Sequence, residues 1–351
     1  MTRLYLIRHG EAEGNLYRRM QGHYDGGLTD LGQRQVLALG ERFRGEQLDA
    51  VYTSDLSRAM HTGMALGRPI HTDPRLREVC VGLWEDQCFG NVRADEPEQM
   101  FRFLTMSSDW SVPGAETFSA VADRGEAAIR DILQKHRGQT VAVCAHGTVL
   151  RCILNRMVYG DQVLSHHGTN TAVTMLTESS GELSLSYSNN VSHLSPELMH
   201  ATPAGDFVIR PMAEDAVEEY IRYRKDAWQV VYGTLDGFDG PGFWLDAKRS
   251  MGKDPLGMVV AYLDGRPAGM IQLNPSRDAD RGVGYIPFLY LREAYRHQGL
   301  GIQLIGHAVS FYRRLGRTKL QLSVYPKNEK ALGFYYKYGF KKAKRQIGRA
   351  H

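Results

Sequence analysis

Short apolar runs alternate with amphipathic stretches through the first half of the chain. Runs of strand length occupy residues 4–7, 50–52 and 140–144. Apolar positions at helical spacing occupy residues 31–43, 57–66 and 116–135, and a further helix is expected after Gly147. This alternation predicts a largely parallel sheet with helices on both faces, whose ligands bind at the carboxyl ends of the strands.

The second half has a different pattern. A helix is predicted over residues 213–231, and residues 258–263 and 268–273 around the turn Asp264-Gly265 predict an antiparallel hairpin. The apolar strand 285–291 contains Pro287, which lacks a ladder N–H, so an edge or a bulge is expected there. Apolar positions 304, 308, 311 and 315 predict a helix that starts near Leu300, directly after a glycine-bearing turn.

The length of the chain favours two domains. Its 351 residues exceed the size at which one hydrophobic core usually stops growing. Two prolines and a glycine among small residues interrupt the pattern between Pro196 and Asp206. We therefore expect a first domain over residues 1–195, a linker over 196–206 and a second domain over 207–351.

Composition and charge exclude several classes of protein. The chain is 42% hydrophobic and 23% charged, and no apolar run approaches the roughly 20 residues that cross a bilayer. The amino terminus lacks a secretory signal, so a cytoplasmic protein without a membrane partner is expected. The net charge of +4 comes from scattered basic residues, whereas nucleic-acid binding requires a continuous basic surface. The oligomeric state is not predicted.

No spacing in the sequence suggests a metal site. The four cysteines form no C-x-x-C pair and are expected to be reduced structural thiols: Cys80, Cys88, Cys144 and Cys152. The histidines His166, His167 and His193 are expected to be polar loop residues. We therefore expect no metal cofactor.

Two histidines follow predicted strands of the first half. His9 comes after the strand 4–7, and His146 comes after the strand 140–144. A lone histidine at such a place is usually a satisfied polar residue, but these two are accompanied by arginines. A site that moves a phosphoryl group needs cations around its oxygens and a nucleophile in line with the leaving group. Arg8, Arg58 and His146 can supply the cations, and these would keep His9 neutral and nucleophilic.

The ordered motifs of residues 4–195 resemble the histidine phosphatase superfamily, also called phosphoglycerate mutase-like. They read RHGE at Arg8–Glu11, LTDLGQRQ at Leu28–Gln35, SDLSRA at Ser54–Ala59, LRE at Leu76–Glu78 and AHG at Ala145–Gly147. The resemblance implies a three-layer α/β/α domain. Ala12 and Asp86 depart from the usual pattern, and neither is expected to touch the catalytic centre.

The resemblance also implies roles for individual residues. His9 would be the nucleophile, and Arg8, Asn15, Arg58 and His146 would bind the phosphate. Glu78 would protonate the leaving oxygen and then activate water, although a glutamate is more often a solvated surface residue. Mutases of this family tend to carry a longer insert before the second histidine, so the short span from Glu78 to His146 favours a phosphatase.

A second set of motifs lies near the carboxyl end. The turn RHQGLG precedes a predicted helix, whose free N–H groups attract a pyrophosphate, although glycines there are often only a tight turn. Together with the block from Asn328 to Phe340, this turn resembles the GCN5-related N-acetyltransferase (GNAT) family from about Phe207 onward. That family implies an α/β domain with a mixed sheet, acetyl-CoA as co-substrate and an amine as acceptor. Its pyrophosphate would bind the turn Arg296, His297, Gln298, Gly299, Leu300 and Gly301.

The same resemblance implies further contacts with acetyl-CoA. The backbone of Leu289 and Leu291 would line the pantetheine arm, and Asn328 would contact the cofactor. Tyr335 would protonate the leaving thiolate, or it is a core aromatic residue within a cluster of aromatic side chains. The general base stays open among Glu293, a residue elsewhere and a water molecule. Residues 233–254, which include Trp244, form either part of the acceptor pocket or an ordinary surface loop.

Three functions agree with these patterns. The first is a bifunctional enzyme that combines a phosphatase with an N-acetyltransferase, acting on small-molecule phosphate esters and amines and in one version on a single compound with both groups. The second is a phosphatase whose GNAT domain only senses acetyl-CoA. The third is a phosphomutase, which would require a bisphosphorylated cofactor.

Overall fold

The fold is taken from a computed structural model that describes residues 1–160, 168–199, 204–251 and 254–343. The chain divides into two compact units, Met1–Thr202 and Pro203–His351. Residues 200–203 of the expected linker, and His166 and His167, lie outside the described residues. Each unit has its own sheet and its own core.

The first unit contains a six-stranded sheet between layers of helices. Its strands are β1 (Thr2–Arg8), β2 (Ala50–Thr53), β3 (Ile70–Thr72), β4 (Thr140–Ala145), β5 (Val173–Ser179) and β6 (Glu182–Asn190). Its helices are α1 (Glu13–Tyr17), α2 (Asp30–Phe43), α3 (Ser57–Met64), α4 (Phe89–Asp95), α5 (Pro97–Thr105), α6 (Phe118–Lys135) and α7 (Gly147–Leu154). The strand order is β3-β2-β4-β1-β5-β6, with β5 and β6 antiparallel at one edge.

Both faces of this sheet are buried, which explains the continuous apolar runs of its central strands. Along β1, Leu4 and Leu6 pack into the core that also holds α6 and α7. The intervening Tyr5 and Ile7 pack on the opposite face against α2. Three layers result, as the sequence predicts, and the carboxyl ends of β1 and β4 lie side by side because these strands are parallel neighbours.

The second unit contains a five-stranded mixed sheet in the order β11-β10-β9-β8-β7. The strands are β7 (Val208–Pro211), β8 (Met258–Leu263), β9 (Arg266–Asn274), β10 (Val283–Leu291) and β11 (Lys319–Leu322). The helices are α8 (Val217–Tyr232), α9 (Gly240–Met251), α10 (Gly301–Arg314) and α11 (Glu329–Lys337). Among the described strands of this unit, only β10 and β11 pair in parallel.

The second unit contains a bulge in β10 and a helix within residues 233–254. The register between β9 and β10 shifts between Tyr285 and Phe288, so the bulge expected around Pro287 is present, although β10 is an inner strand. The alternative of a surface loop over residues 233–254 is wrong for Gly240–Met251, which is helix α9. In the described part of the chain, no helix is both long enough and apolar enough to cross a membrane.

Candidate active sites

The main chain of His9 is fixed at the end of β1. Its N–H donates to the carbonyl of Ala145, 3.0 Å away in the neighbouring strand end. Its own carbonyl accepts from Asn170 Nδ2 at 3.0 Å. A Cβ atom on Gly10 would lie 2.8 Å from Val36 Cγ2, so only glycine fits directly after His9. The buried imidazole is therefore held on a rigid backbone.

The tautomer of His9 follows from its hydrogen bond. Nδ1 lies 2.7 Å from the carbonyl oxygen of Gly10, which can only accept, so Nδ1 carries the proton. The lone pair is then on Nε2. Burial holds the pKa of His9 well below its ordinary value, and the positive charges of Arg58 and Arg8 lower it further. His9 is a neutral imidazole with its basic nitrogen on Nε2.

His146 has the opposite tautomer. Arg58 Nε donates to its Nδ1 at 3.1 Å, so the proton of the neutral ring is on Nε2. Burial and Arg58 hold the pKa of His146 well below its ordinary value. Its Nε2 is buried without a hydrogen-bond partner among the described residues. The ring centroids of His9 and His146 are 5.1 Å apart, so a ring nitrogen with a free lone pair and a ring N–H donor lie on neighbouring side chains.

Two arginines supply the positive charge. Arg58 is 1% exposed and donates to the carbonyls of Tyr24 at 2.9 Å and Gly22 at 2.8 Å. Burial lowers its pKa to about 10, so Arg58 stays charged at neutral pH. Arg8 donates through Nη1 to the carbonyl of Gly168, whereas its buried Nε has no partner among the described residues. Arg8 therefore retains a donor for an anion.

Glu78 lies at the amino terminus of α7. Its Oε1 accepts from the N–H groups of Val79 at 3.0 Å and Val149 at 2.9 Å, and its Oε2 accepts from Thr148 at 3.0 Å. Two of these donors belong to the first turn of α7, where free N–H groups attract a carboxylate. Oε1 therefore accepts two of the three bonds and Oε2 accepts one, so the carboxyl group is held in place by the main chain.

A cavity of about 510 Å³ opens over these groups. Arg8, His9, Asn15 and Glu78 line it, which brings four of the sequence-predicted residues together. Arg58 and His146 are not part of the lining. The His146 ring lies behind His9, with 5.1 Å between the ring centroids, and Arg58 is bonded to His146. The remaining lining includes Arg18, Arg19, Gln21, Val79, Val81, Phe89 and Phe103.

Sequence reasoning missed a cationic wall of this cavity, formed by Arg18 and Arg19. Arg18 and Arg19 follow the predicted phosphate-binding residue Asn15 by three and four positions, and this closeness in sequence could have indicated them. Arg19 Nε lies 2.6 Å from Asp86 Oδ1, so Asp86 contacts a residue of the cavity wall. Asp86 itself does not line the cavity, and its part in the site is the ion pair with Arg19. Its φ of 58° lies in the left-handed region that favours glycine.

The two buried histidines should make stability depend on pH below about 6.5, where a histidine of the unfolded chain titrates. Because the native pKa of both is lowered, the unfolded chain binds protons first as the pH falls, and stability is lost. Each histidine contributes up to about 1.4 kcal/mol per pH unit. The free energy of unfolding of the wild type, measured by urea denaturation, should decrease between about pH 7.5 and about pH 5.5. We expect this decrease to be smaller in a His9→Gln/His146→Gln double variant.

The exposed His61 provides the control for this pH dependence. His61→Gln should keep the wild-type loss of stability at low pH. If the double variant lost as much stability as the wild type, the two histidines would not be the groups that take up protons on unfolding.

In the second unit, the turn Arg296–Gly301 presents backbone donors. The N–H groups of Gln298, Gly299, Leu300 and Gly301 donate to no described residue. Two positive φ angles shape the turn, 61° at His297 and 71° at Gly299. A Cβ on Gly301 would lie 3.1 Å from the Phe334 ring, so α11 packs closely against the start of α10. The arrangement suits a pyrophosphate.

The pairing between β10 and β11 stops before β10 ends. Their parallel pairing runs from Val283 to Ile286 on β10 and stops at Leu322 on β11. Leu289 and Leu291 lie beyond this point and pair only with β9, opposite Ile271 and Gly269. Within the described residues, the other edge of β10 is therefore open beside Leu289 and Leu291.

Asn328 directly precedes α11, and Tyr335 lies in the last turn of that helix. The Asn328 side chain accepts from the N–H of Ala331 at 3.1 Å, so it caps the helix. The Tyr335 ring packs against Phe334 and Phe340, and burial raises the pKa of its hydroxyl to about 12. The hydroxyl stays protonated at neutral pH and can donate a proton. Glu293, one of the options for a general base, is exposed.

The remaining histidine and cysteine expectations concern metal binding. No group of three or more histidine, cysteine or acidic residues in the described ranges is arranged to hold a metal ion. His193 bonds instead to Thr171 Oγ1 at 3.1 Å and to Arg42 at 3.2 Å. All four cysteines are unpaired, and burial raises the pKa of Cys144 and Cys152 to about 12.

Two family models match the chain. Residues 4–191 match the histidine phosphatase superfamily (branch 1), and residues 215–340 match the acetyltransferase (GNAT) family. The probable phosphoglycerate mutase GpmB of Salmonella choleraesuis is 32% identical over 162 residues, which are 45% of this chain and 75% of that protein. A metal-independent phosphoserine phosphatase of Arabidopsis thaliana is 35% identical over 164 residues, 45% of this chain and 69% of that protein.

Solved structures resemble the first unit. YhfR of Bacillus stearothermophilus matches with a TM-score of 0.53 and 33% identity, over 55% of this chain and 99% of that chain. A variant of a phosphoserine phosphatase from Entamoeba histolytica, in complex with phosphoserine, matches with a TM-score of 0.50 and 25% identity. That match covers 56% of this chain and 100% of that chain.

Proposed function

The chain belongs to the histidine phosphatase superfamily, and on that premise we propose that its first unit hydrolyses phosphomonoesters through a phosphohistidine. The observation that carries the proposal is the pair of opposite tautomers of His9, which lines the cavity, and of His146 beside it. His9 has a free lone pair on Nε2, and His146 has an N–H on Nε2 without a partner among the described residues, with 5.1 Å between the ring centroids. One ring is set to attack phosphorus and the other to donate to a phosphate oxygen.

In the first half of the reaction, His9 Nε2 attacks phosphorus and the bond to the ester oxygen breaks. Arg8, His146 and Asn15 hold the non-bridging oxygens, and Arg58 supports them by orienting His146. Glu78 gives a proton to the leaving oxygen, which departs as an alcohol. The products of this step are phosphorylated His9 and the Glu78 carboxylate.

In the second half, a water molecule attacks the phosphoryl group and the bond between phosphorus and Nε2 breaks. The Glu78 carboxylate takes a proton from that water, which restores its acid form for the next turnover. His9 returns to its neutral state and inorganic phosphate is released. No step requires a metal ion.

The relatives include phosphatases and a probable mutase, so the acceptor of the phosphoryl group decides between them. We propose transfer to water and a small phosphate ester as substrate. Phosphate release from phosphoserine or 3-phosphoglycerate without any added bisphosphate supports this proposal. Isomerisation of 3-phosphoglycerate that depends on 2,3-bisphosphoglycerate would favour the mutase.

For the second unit we propose acetyl transfer from acetyl-CoA to an amine, with residues 196–206 as the linker from the first domain. Acetyl-CoA supplies the acetyl thioester. The free N–H groups of the Arg296–Gly301 turn fit its pyrophosphate, and the open edge of β10 fits its pantetheine arm. Asn328, which caps α11 through one side-chain oxygen, keeps its amide N–H groups for a further contact.

Tyr335→Phe should lower CoA release without abolishing acetyl-CoA binding. The phenol stays protonated because burial raises its pKa to about 12, and it would donate to the departing thiolate. Loss of such a donor reduces the rate by roughly 10²-fold or more. The rate is read from CoA release, and acetyl-CoA binding from calorimetry. Tyr336→Phe, at a 52% exposed neighbour, is the matched control and should behave as the wild type.

A panel of phosphorylated amines, tested with and without acetyl-CoA, separates the remaining alternatives. Release of phosphate and of CoA from the same compound would support a single substrate that bears both groups. Acetyl-CoA binding without CoA release from any amine would instead indicate that the second unit only senses acetyl-CoA.

A further inference from the structure

Arg224 of α8 is half-buried and contacts residues of α9 and of the sheet of the second unit. Its Nε donates to the Tyr220 hydroxyl at 2.8 Å, and its Nη2 donates to Gln272 Oε1 at 2.8 Å. Tyr220 and Gln272 are fully buried and are themselves joined by a hydrogen bond of 3.0 Å. These contacts fix the plane and the direction of the guanidinium.

The charge of Arg224 has no carboxylate partner. Arg224 forms no ion pair with any described residue, and its Nη1 has no acceptor there. Asp246 acts on it only through space. The other acidic groups of α8 at this face are engaged elsewhere, because Glu219 accepts from Tyr223 at 2.5 Å and Asp226 accepts from Tyr290 at 2.9 Å.

Aromatic rings surround the guanidinium. Its central carbon lies 3.9 Å from the ring centroid of Phe288, 4.8 Å from that of Phe243 and 5.3 Å from that of Tyr220. Stacking of this kind stabilises a cation and excludes water from it. An anion that reached Nη1 would meet a fixed, weakly hydrated donor in a region of low dielectric.

A second unsatisfied donor lies one turn further along α8. The indole N–H of Trp228 is buried and has no hydrogen-bond partner among the described residues. Its ring centroid lies 5.9 Å from that of Phe243, which also contacts Arg224. Residues four apart share one face of a helix, so both donors lie beside the same ring. A buried N–H without an acceptor is costly, which favours a ligand that accepts from it.

We propose that Arg224 and Trp228 bind a carboxylate of the amine substrate, so that the acceptor is an amino acid or a similar amine-bearing acid. The free Nη1 edge of Arg224 matches a planar carboxylate, and Trp228 adds a third donor. Phe288, which stacks on Arg224, directly precedes Leu289, whose backbone is proposed to line the pantetheine arm. The location of the amine beside the thioester rests on the proposed acetyl transfer, whereas carboxylate binding does not.

Binding is tested on the full chain labelled with 5-fluorotryptophan. Its four tryptophans give four ¹⁹F signals, and Trp228→Phe identifies the one required. Acetate and phenylacetate should shift the Trp228 signal, whereas phenylacetamide, the neutral analogue, should not. In Arg224→Gln the affinity for phenylacetate should fall roughly tenfold or more. No shift with either carboxylate, an equal shift with the amide, or a shift with inorganic phosphate alone would overturn the proposal.

Turnover provides an independent test. CoA release should be at least about tenfold faster with amino acids than with the corresponding amino acid amides, and Arg224→Gln should remove this preference. Arg224→Lys keeps the charge but loses the planar donor pair, so it should fold as the wild type and still bind phenylacetate weakly. Arg222→Gln, at the exposed neighbour on α8, is the matched control and should keep the preference.

The two measurements separate this inference from the proposed acetyl transfer. Carboxylate binding at Trp228 without CoA release from any amine would contradict the proposed acetyl transfer but would still support the carboxylate-binding site. Equal turnover of amino acids and their amides would contradict the carboxylate-binding site but would still support acetyl transfer.

Discussion

His9→Ala is expected to reduce phosphate release from phosphomonoesters by roughly 10⁴-fold or more, because it removes the proposed nucleophile that forms the covalent intermediate. His146 cannot replace His9, since its Nδ1 is bonded to Arg58 and its Nε2 carries the proton. The rate is measured as inorganic phosphate released. Acid-labile phosphate on the protein, trapped by rapid denaturation, should be present in the wild type and absent from the variant.

The control for this variant is His61→Ala, which changes an exposed histidine of α3. It should retain the wild-type rate and the wild-type amount of phosphorylated protein. Phosphate release by His9→Ala above about one hundredth of the wild-type rate would show that the covalent route is not required. Phosphorylated protein in that variant would place the nucleophile elsewhere.

Glu78→Gln is expected to lower the steady-state rate with alkyl phosphates by roughly 10²- to 10⁴-fold, since both halves of the reaction lose their proton carrier. With p-nitrophenyl phosphate, whose phenolate leaves without a proton, the first half should stay fast and the second should remain slow. We therefore expect a burst of about one equivalent of p-nitrophenol per site, followed by slow turnover.

Glu78→Gln also tests the second role of this side chain. The carboxamide oxygen can keep the bonds to Val79 and Val149, whereas its NH2 group would face the N–H of Thr148. The variant should lose about 1–3 kcal/mol of unfolding free energy. Glu98→Gln, at an exposed glutamate of α5, should change neither stability nor rate. Fast steady-state turnover of alkyl phosphates by Glu78→Gln would exclude the acid–base role.

The first unit was largely predictable because its chemistry follows the order of the strands. The apolar runs that end at Arg8 and Ala145 fix where His9 and His146 emerge, and parallel neighbours bring those ends together. Which ring nitrogen of His9 and which of His146 carries the proton was not predictable from the sequence. It depends on a carbonyl beside one ring and a guanidinium beside the other, and neither contact has a sequence pattern.

The short edge strands and the wall of the phosphatase cavity were harder to predict. The partnership of Arg19 with Asp86 joins two loops that are far apart in sequence, so no local pattern indicates it. In the second unit, an ordinary surface loop was one of the two alternatives for residues 233–254, yet helix α9 forms from Gly240, with Ala247 buried in the core of this unit. Tertiary packing outweighs the low helix propensity of glycine in this segment.

The anchoring of His9 also determines when activity can arise during folding. The carbonyl of His9 is bonded to a side chain 161 positions later in the chain, and Arg58 orients a ring 88 positions away from it. Contacts between such distant segments form slowly, because long loops must close before any of them is made. A nascent chain therefore carries all of the RHGE motif early but has no nucleophile in place until β4 and β5 have joined β1. Phosphatase activity should return during refolding only after β4 and β5 have docked against β1.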